Sequence, residues 1–153
     1  MLIGRNVLSY LVRSLVMALD QFHIKSIAYK VHGHGSIFLD IMLPNSLCSG
    51  QHPINIRFHR GFFIAGSRNL KDFFPPRHLK HALASSVMLV SPDYRLLPES
   101  SGKEILEDLE DLWTWIHEDL NNVIASMSDN RISADVTRIL VLGESAGRST
   151  SKI

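Results

Sequence analysis

Apolar and polar positions follow two rhythms along this chain, and the change of rhythm marks its elements. Between residues 5 and 22, Val7, Leu8, Leu11, Leu15, Val16 and Leu19 recur at helical spacing and predict an amphipathic helix. From Ala28 to Leu43 the pattern shortens to two strands around a turn at Gly33–Gly35. In Pro53–Phe58, Ile54, Ile56 and Phe58 alternate with Asn55 and Arg57, the period of a strand. Arg68–Ala84 is expected to be helical with an interruption at Pro75–Pro76, and Phe73 and Phe74 are expected in the core or lining a pocket. Val87–Val90 is a short apolar run, as in a buried strand. Ser101–Glu104 has the spacing of a capping box. Ile105, Leu109, Leu112, Ile116, Leu120 and Val123 then form a core-facing stripe, with Trp113 and Trp115 beside it. Glu107, Asp108, Glu110 and Asp111 are expected on the solvated face of that helix, and Ser126–Val136 is expected to be a surface loop. Arg138–Leu142 closes the series as another buried strand.

Strands alternating with helices imply an α/β architecture, a mostly parallel sheet with helices on both faces. Ligands in such sheets bind beyond the carboxyl ends of the strands. Two segments are expected there, residues 59–62 and 143–147.

The second is Gly143-Glu144-Ser145-Ala146-Gly147, a G-x-S-x-G sequence directly after an apolar strand. A chain leaving a buried strand for a helix must turn sharply, and glycines two places either side of Ser145 relieve the crowding. The serine hydroxyl then stands clear of the backbone with the Ala146 amide beside it. A hydroxyl placed this way suits nucleophilic attack on an acyl carbon.

Acyl transfer also needs amide donors fixed around the oxygen that turns negative. A tight turn at the end of Pro53–Phe58 can supply them: His59-Arg60-Gly61-Phe62-Phe63, trailed by Gly66-Ser67. With these residues, and with Asp93-Tyr94-Arg95-Leu96-Leu97-Pro98-Glu99, the chain resembles the hormone-sensitive-lipase-like esterases of the α/β-hydrolase superfamily. His59, Gly61 and Gly66-Ser67 are similar to that family's His-Gly-Gly-Gly loop, with Arg60 and Phe62 where it has its first and third glycines. The resemblance implies Ser145 as nucleophile and the amides of Gly61, Phe62 and Ala146 as an oxyanion hole. It implies loop and elbow support from His59, Gly143, Glu144, Gly147, Asp93 and Arg95, with Glu99 as a further brace. A positive φ at position 60 would be unfavourable for arginine.

The resemblance covers residues 25 to 147, the N-terminal half of an α/β-hydrolase fold. It implies a cap-like helical segment over 1–24 and an incomplete hydrolase domain over 25–153. The family's chain order is serine, then acid, then histidine. All eight histidines precede Ser145, and 146–153 contain neither acid nor histidine. The expectation is therefore a truncated carboxylic-ester hydrolase acting on a small acyl ester, with turnover reduced on the order of 10⁶-fold for want of a base. The alternative is a non-catalytic fragment that self-associates through an exposed edge at strand 138–142.

Composition changes the picture little. With 153 residues, 45% hydrophobic, 20% charged and net charge +1, the chain suits one globular domain and offers no field for nucleic acid. One cysteine, Cys48, excludes an intrachain disulfide and fits a cytoplasmic setting. No uninterrupted apolar run is long enough for a membrane span. His32 with His34 lacks a third ligand at metal-binding spacing, so a polar turn is expected there, and His78 with His81 is expected on a solvated basic helix face with Arg77 and Lys80 in preference to a metal pair. No nucleotide-binding glycine motif follows any strand, and no cofactor is expected.

Overall fold

A computed structural model describes residues 17–33, 35–68 and 75–143. Among the described residues, five strands and three helices follow in the order β1 (Phe22–His32), β2 (Gly35–Pro44), β3 (Gly50–Phe58), α1 (Pro76–Ser85), β4 (Met88–Pro92), α2 (Gly102–Glu118), α3 (Leu120–Ser128) and β5 (Ile132–Gly143). The sheet order is β1-β2-β4-β3-β5. β2 lies antiparallel to β1 and β4, while β3 lies parallel to β4 and β5, so four of the five strands point one way. Only β2 opposes them, as a short turn between β1 and β2 requires.

Alternation along the strands gives the sheet two different faces. On one, Leu39, Ile41, Ile54, Ile56, Met88 and Val90 pack against the α2–α3 pair through Ile105, Leu109, Leu112, Ile116, Leu120 and Ile124. On the other, Met42 and Leu89 pack with Phe22 against Leu79 and Ala82 of α1. Helices therefore cover both faces.

Local signals explain the helix boundaries. Pro76 opens α1, where its missing N–H costs nothing. α2 starts on a complete capping box: the Glu104 amide donates to Ser101 Oγ (3.3 Å), and the Ser101 amide donates to Glu104 Oε2 (2.7 Å). The apolar stripe expected as one helix is divided at Asp119, which caps α2 and precedes α3.

Several sequence expectations need correcting. Ser126–Val136 is not a loop: α3 runs to Ser128, Asp129 and Asn130 turn with positive φ, and β5 begins at Ile132. The polar look of that stretch comes from helix-end and turn residues, with Ile124 and Ser128 facing inward. Asp108 is not on the solvated face of α2. Its side chain is 0% exposed and pairs with Lys30 and Arg95. His78 is buried too, not part of an open basic face. β1 starts at Phe22, so the expected helix over 5–22 keeps only its last turn near Met17–Leu19 within the described residues. Its remainder, with His34, Phe73 and Phe74, lies outside them.

Candidate active site

The parallel register of β3 and β5 sets the geometry. Phe58, the last residue of β3, is paired with Gly143, the last of β5. Neighbouring strands run about 4.8 Å apart. The 59–63 loop and the chain continuing from Gly143 therefore leave the same edge of the sheet from adjacent strands. Glu144, Ser145, Ala146 and Gly147 lie outside the described residues.

The loop is bent by positive φ at Gly61 (135°), Phe62 (57°), Phe63 (62°) and Gly66 (109°). Arg60 is not among them, so the arginine there imposes no left-handed strain. Gly61 and Gly66 are required. A Cβ at 61 would stand 1.8 Å from the Ala65 carbonyl oxygen, and one at 66 would stand 2.3 Å from that of Arg60. The amides of Ile64 and Ala65 both donate to the Gly61 carbonyl at 3.0 Å, closing the turn. Phe62 and Phe63 each carry a left-handed cost of about 1–2 kcal/mol. Among the described residues, no acceptor pairs with the amides of Gly61 or Phe62. Two adjacent N–H groups left in this state can receive an oxygen from outside the fold.

The segment after β4 fixes this loop from below. The Tyr94 hydroxyl donates to the His59 carbonyl (2.9 Å), and the Leu97 amide donates to the Phe63 carbonyl (2.7 Å). The His59 ring lies flat on Tyr94, centroids 4.3 Å apart at 3°. His59 Nδ1 donates to the Arg60 carbonyl at 3.0 Å. Burial lowers the His59 pKa, against the opposing pull of that carbonyl and Asp93, so the ring stays neutral. Nearly enclosed, His59 is a wedge under the loop. Burial likewise pushes the Tyr94 hydroxyl up to about 12, keeping it a donor.

Arg68 closes the far end of the loop. Its amide donates to Asp93 Oδ1 (2.6 Å), while its guanidinium bonds Asp93 Oδ2 and Asp40 Oδ1, the latter at 2.9 Å. The Arg68 carbonyl accepts from Ser91 Oγ (3.1 Å) and from the buried Arg57 (3.4 Å). Asp93 thus bonds Arg68 through both backbone and side chain. Arg95 reaches the other way, to Asp108 (2.8 Å) and Glu104 (2.9 Å) on α2. Burial alone would raise the Asp108 carboxyl, but hydrogen bonds from Arg95 and Lys30 outweigh it and hold its pKa below the usual range. Arg95 therefore ties the segment to α2, and Asp93, Tyr94 and Leu97 tie it to the loop. Among the described residues, no hydrogen bond joins Glu99 to the loop, so the expected brace from that residue is not seen.

Sequence reasoning missed Arg57, Arg68 and Tyr94 as loop supports. For Tyr94 the signal was its place inside the Asp-Tyr-Arg segment. For Arg57 it was a charge at an alternating strand position. Among the described residues, no three histidine, cysteine or acidic side chains gather as a metal site. No helix among them is long and apolar enough to cross a membrane.

Comparison with known proteins agrees with this fold. Residues 55–149, more than half of the chain, match the family model described as alpha/beta hydrolase fold. The chain is 37% identical over 99 residues to the probable carboxylesterase M8 of Phoma sp., covering 65% of this chain and 31% of that protein. It is 45% identical over 69 residues to the probable carboxylesterase clz11 of Cochliobolus lunatus, covering 45% of this chain and 31% of that one. A solved esterase from Pyrobaculum calidifontis superposes with a TM-score of 0.64 at 23% identity, over 96% of this chain and 45% of the other. The chain thus spans about a third of the length of these curated relatives and under half of the solved one. With the sheet order, the register and the match over 55–149 in agreement, this chain belongs to the alpha/beta hydrolase fold family.

Proposed function

We propose that the chain carries the nucleophile and oxyanion portion of a carboxylic-ester hydrolase. Ser145 Oγ attacks the acyl carbon, and the carbonyl oxygen takes the negative charge. The amides of Gly61, Phe62 and Ala146 hold that oxygen. The alcohol leaves with the proton that the Ser145 hydroxyl gives up, and water later releases the acid from the acyl-serine and restores that hydroxyl. The observation that carries this reading is the pairing of Phe58 with Gly143. The unclaimed amides at 61 and 62 support it, as do relatives named carboxylesterases. His59 is enclosed and bonded to Arg60, so it is not the base. Turnover by these 153 residues alone is accordingly weak, and a covalent probe is the better readout.

A fluorophosphonate is expected to add to Ser145, seen as one adduct in intact mass and located by peptide mapping. Ser145→Ala removes it. A second reading rests on β5, which pairs only with β3 among the described residues and leaves Leu140 50% exposed. That edge suits self-association. No adduct, together with a larger species in sizing chromatography, would favour it over hydrolysis.

A further inference from the structure

Phe62 and Phe63 share the left-handed conformation but not its compensation. The Phe63 ring packs edge-on to Tyr94 at 6.1 Å, and its carbonyl takes the Leu97 amide. Phe62 is 77% exposed, and Ile64, two residues on, is 61% exposed. Glycine would adopt a φ of 57° without strain and would present no apolar surface to water. An aromatic ring is held here against both its backbone preference and its hydration.

We propose that the Phe62 ring, with Ile64, forms an apolar wall of the substrate site and selects esters bearing an extended alkyl chain over acetyl-sized ones. This rests on the reading of the Gly61 and Phe62 amides as oxyanion donors. Covalent geometry places the ring about 5 Å from its own amide nitrogen. An oxygen bound there would lie about 3 Å from that nitrogen. Ring and oxygen, both measured from one nitrogen, then stand at most about 8 Å apart, a span that carbons extending beyond the ester group can bridge. One-sided cover of four or five methylenes gives a preference on the order of 10-fold.

Adduct formation at Ser145 is compared for p-nitrophenyl methylphosphonate esters and for probes lengthened to hexyl, either on phosphorus (acyl side) or on the ester oxygen (alcohol side). The wild-type chain is expected to react about 10-fold faster with a hexyl probe on one of these sides. Phe62→Gly is expected to cut that preference to about 2-fold while melting no lower, since glycine relieves the backbone. Phe62→Leu is expected to keep it. A hexyl preference equal in wild type and Phe62→Gly on both sides would overturn the wall and leave the nucleophile reading standing. No adduct on the wild-type chain with any probe would overturn the nucleophile reading, and the wall with it.

Discussion

The two faces of the sheet are built on different principles. Against α2 and α3 the strands present only aliphatic side chains at their centre: Leu39, Ile41, Ile54, Ile56, Met88 and Val90. Against α1 the same strands bury Asp40, Asn55, Arg57 and Ser91 beside Met42 and Leu89. Apolar contact is non-directional, so the first face holds the strands together without aiming anything. Hydrogen bonds to charged groups are directional, and those of the second face converge: Asp40, Arg57 and Ser91 all bond Arg68, the residue that closes the 59–68 segment. Buried charge is a weak source of stability. Its use here is positional, setting the loop that leaves β3 against the end of β5.

Two substitutions would break that contrast if it is wrong. The larger effect on folding is expected from Leu112→Ala, a nearly enclosed α2 side chain, at about 3 kcal/mol in urea unfolding. Fluorophosphonate labelling per folded molecule should be unchanged. Arg68→Gln should do the reverse. It removes the guanidinium bonds to Asp40 and Asp93 at a partly exposed position, for about 1 kcal/mol of stability. Labelling should fall on the order of 10-fold, because small misplacements of an aligned site are amplified in rate. Equal sensitivity of labelling to both changes would erase the division of labour between the faces.

How much of this was legible beforehand follows from the range of each signal. The capping box at Ser101–Glu104 and the alternation in Pro53–Phe58 are local, and both elements form where they were expected. The two loops were expected at one sheet edge because each follows a strand in a strand-helix alternation, and β3 and β5 prove to be neighbours in parallel register. The supports were not legible, because their partners are far apart in sequence. Arg68 meets Asp40 and Asp93 at separations of 28 and 25 residues. Asp108 follows Ile105 by three residues and so falls on the inward stripe of α2, but its charge suggested solvent. Only the fold brings Lys30 and Arg95 to neutralise it. The left-handed backbone at Phe62 and Phe63 was equally hidden, since neither residue favours that conformation.

The central proposal is spatial: that position 145 stands beside the loop at 61–62, on the carboxyl side of the sheet. Its most direct measurement is proximity cross-linking of Phe62→Cys with Ser145→Cys in a Cys48→Ser background, using a short bismaleimide and reading intact mass and peptide maps. The account predicts an intramolecular 62–145 cross-link that forms in dilute folded protein and does not form when the reagent is added to urea-unfolded protein. If cysteine 145 instead cross-linked to a cysteine placed at Gln51, near the opposite end of β3, and not to position 62, the account would be contradicted.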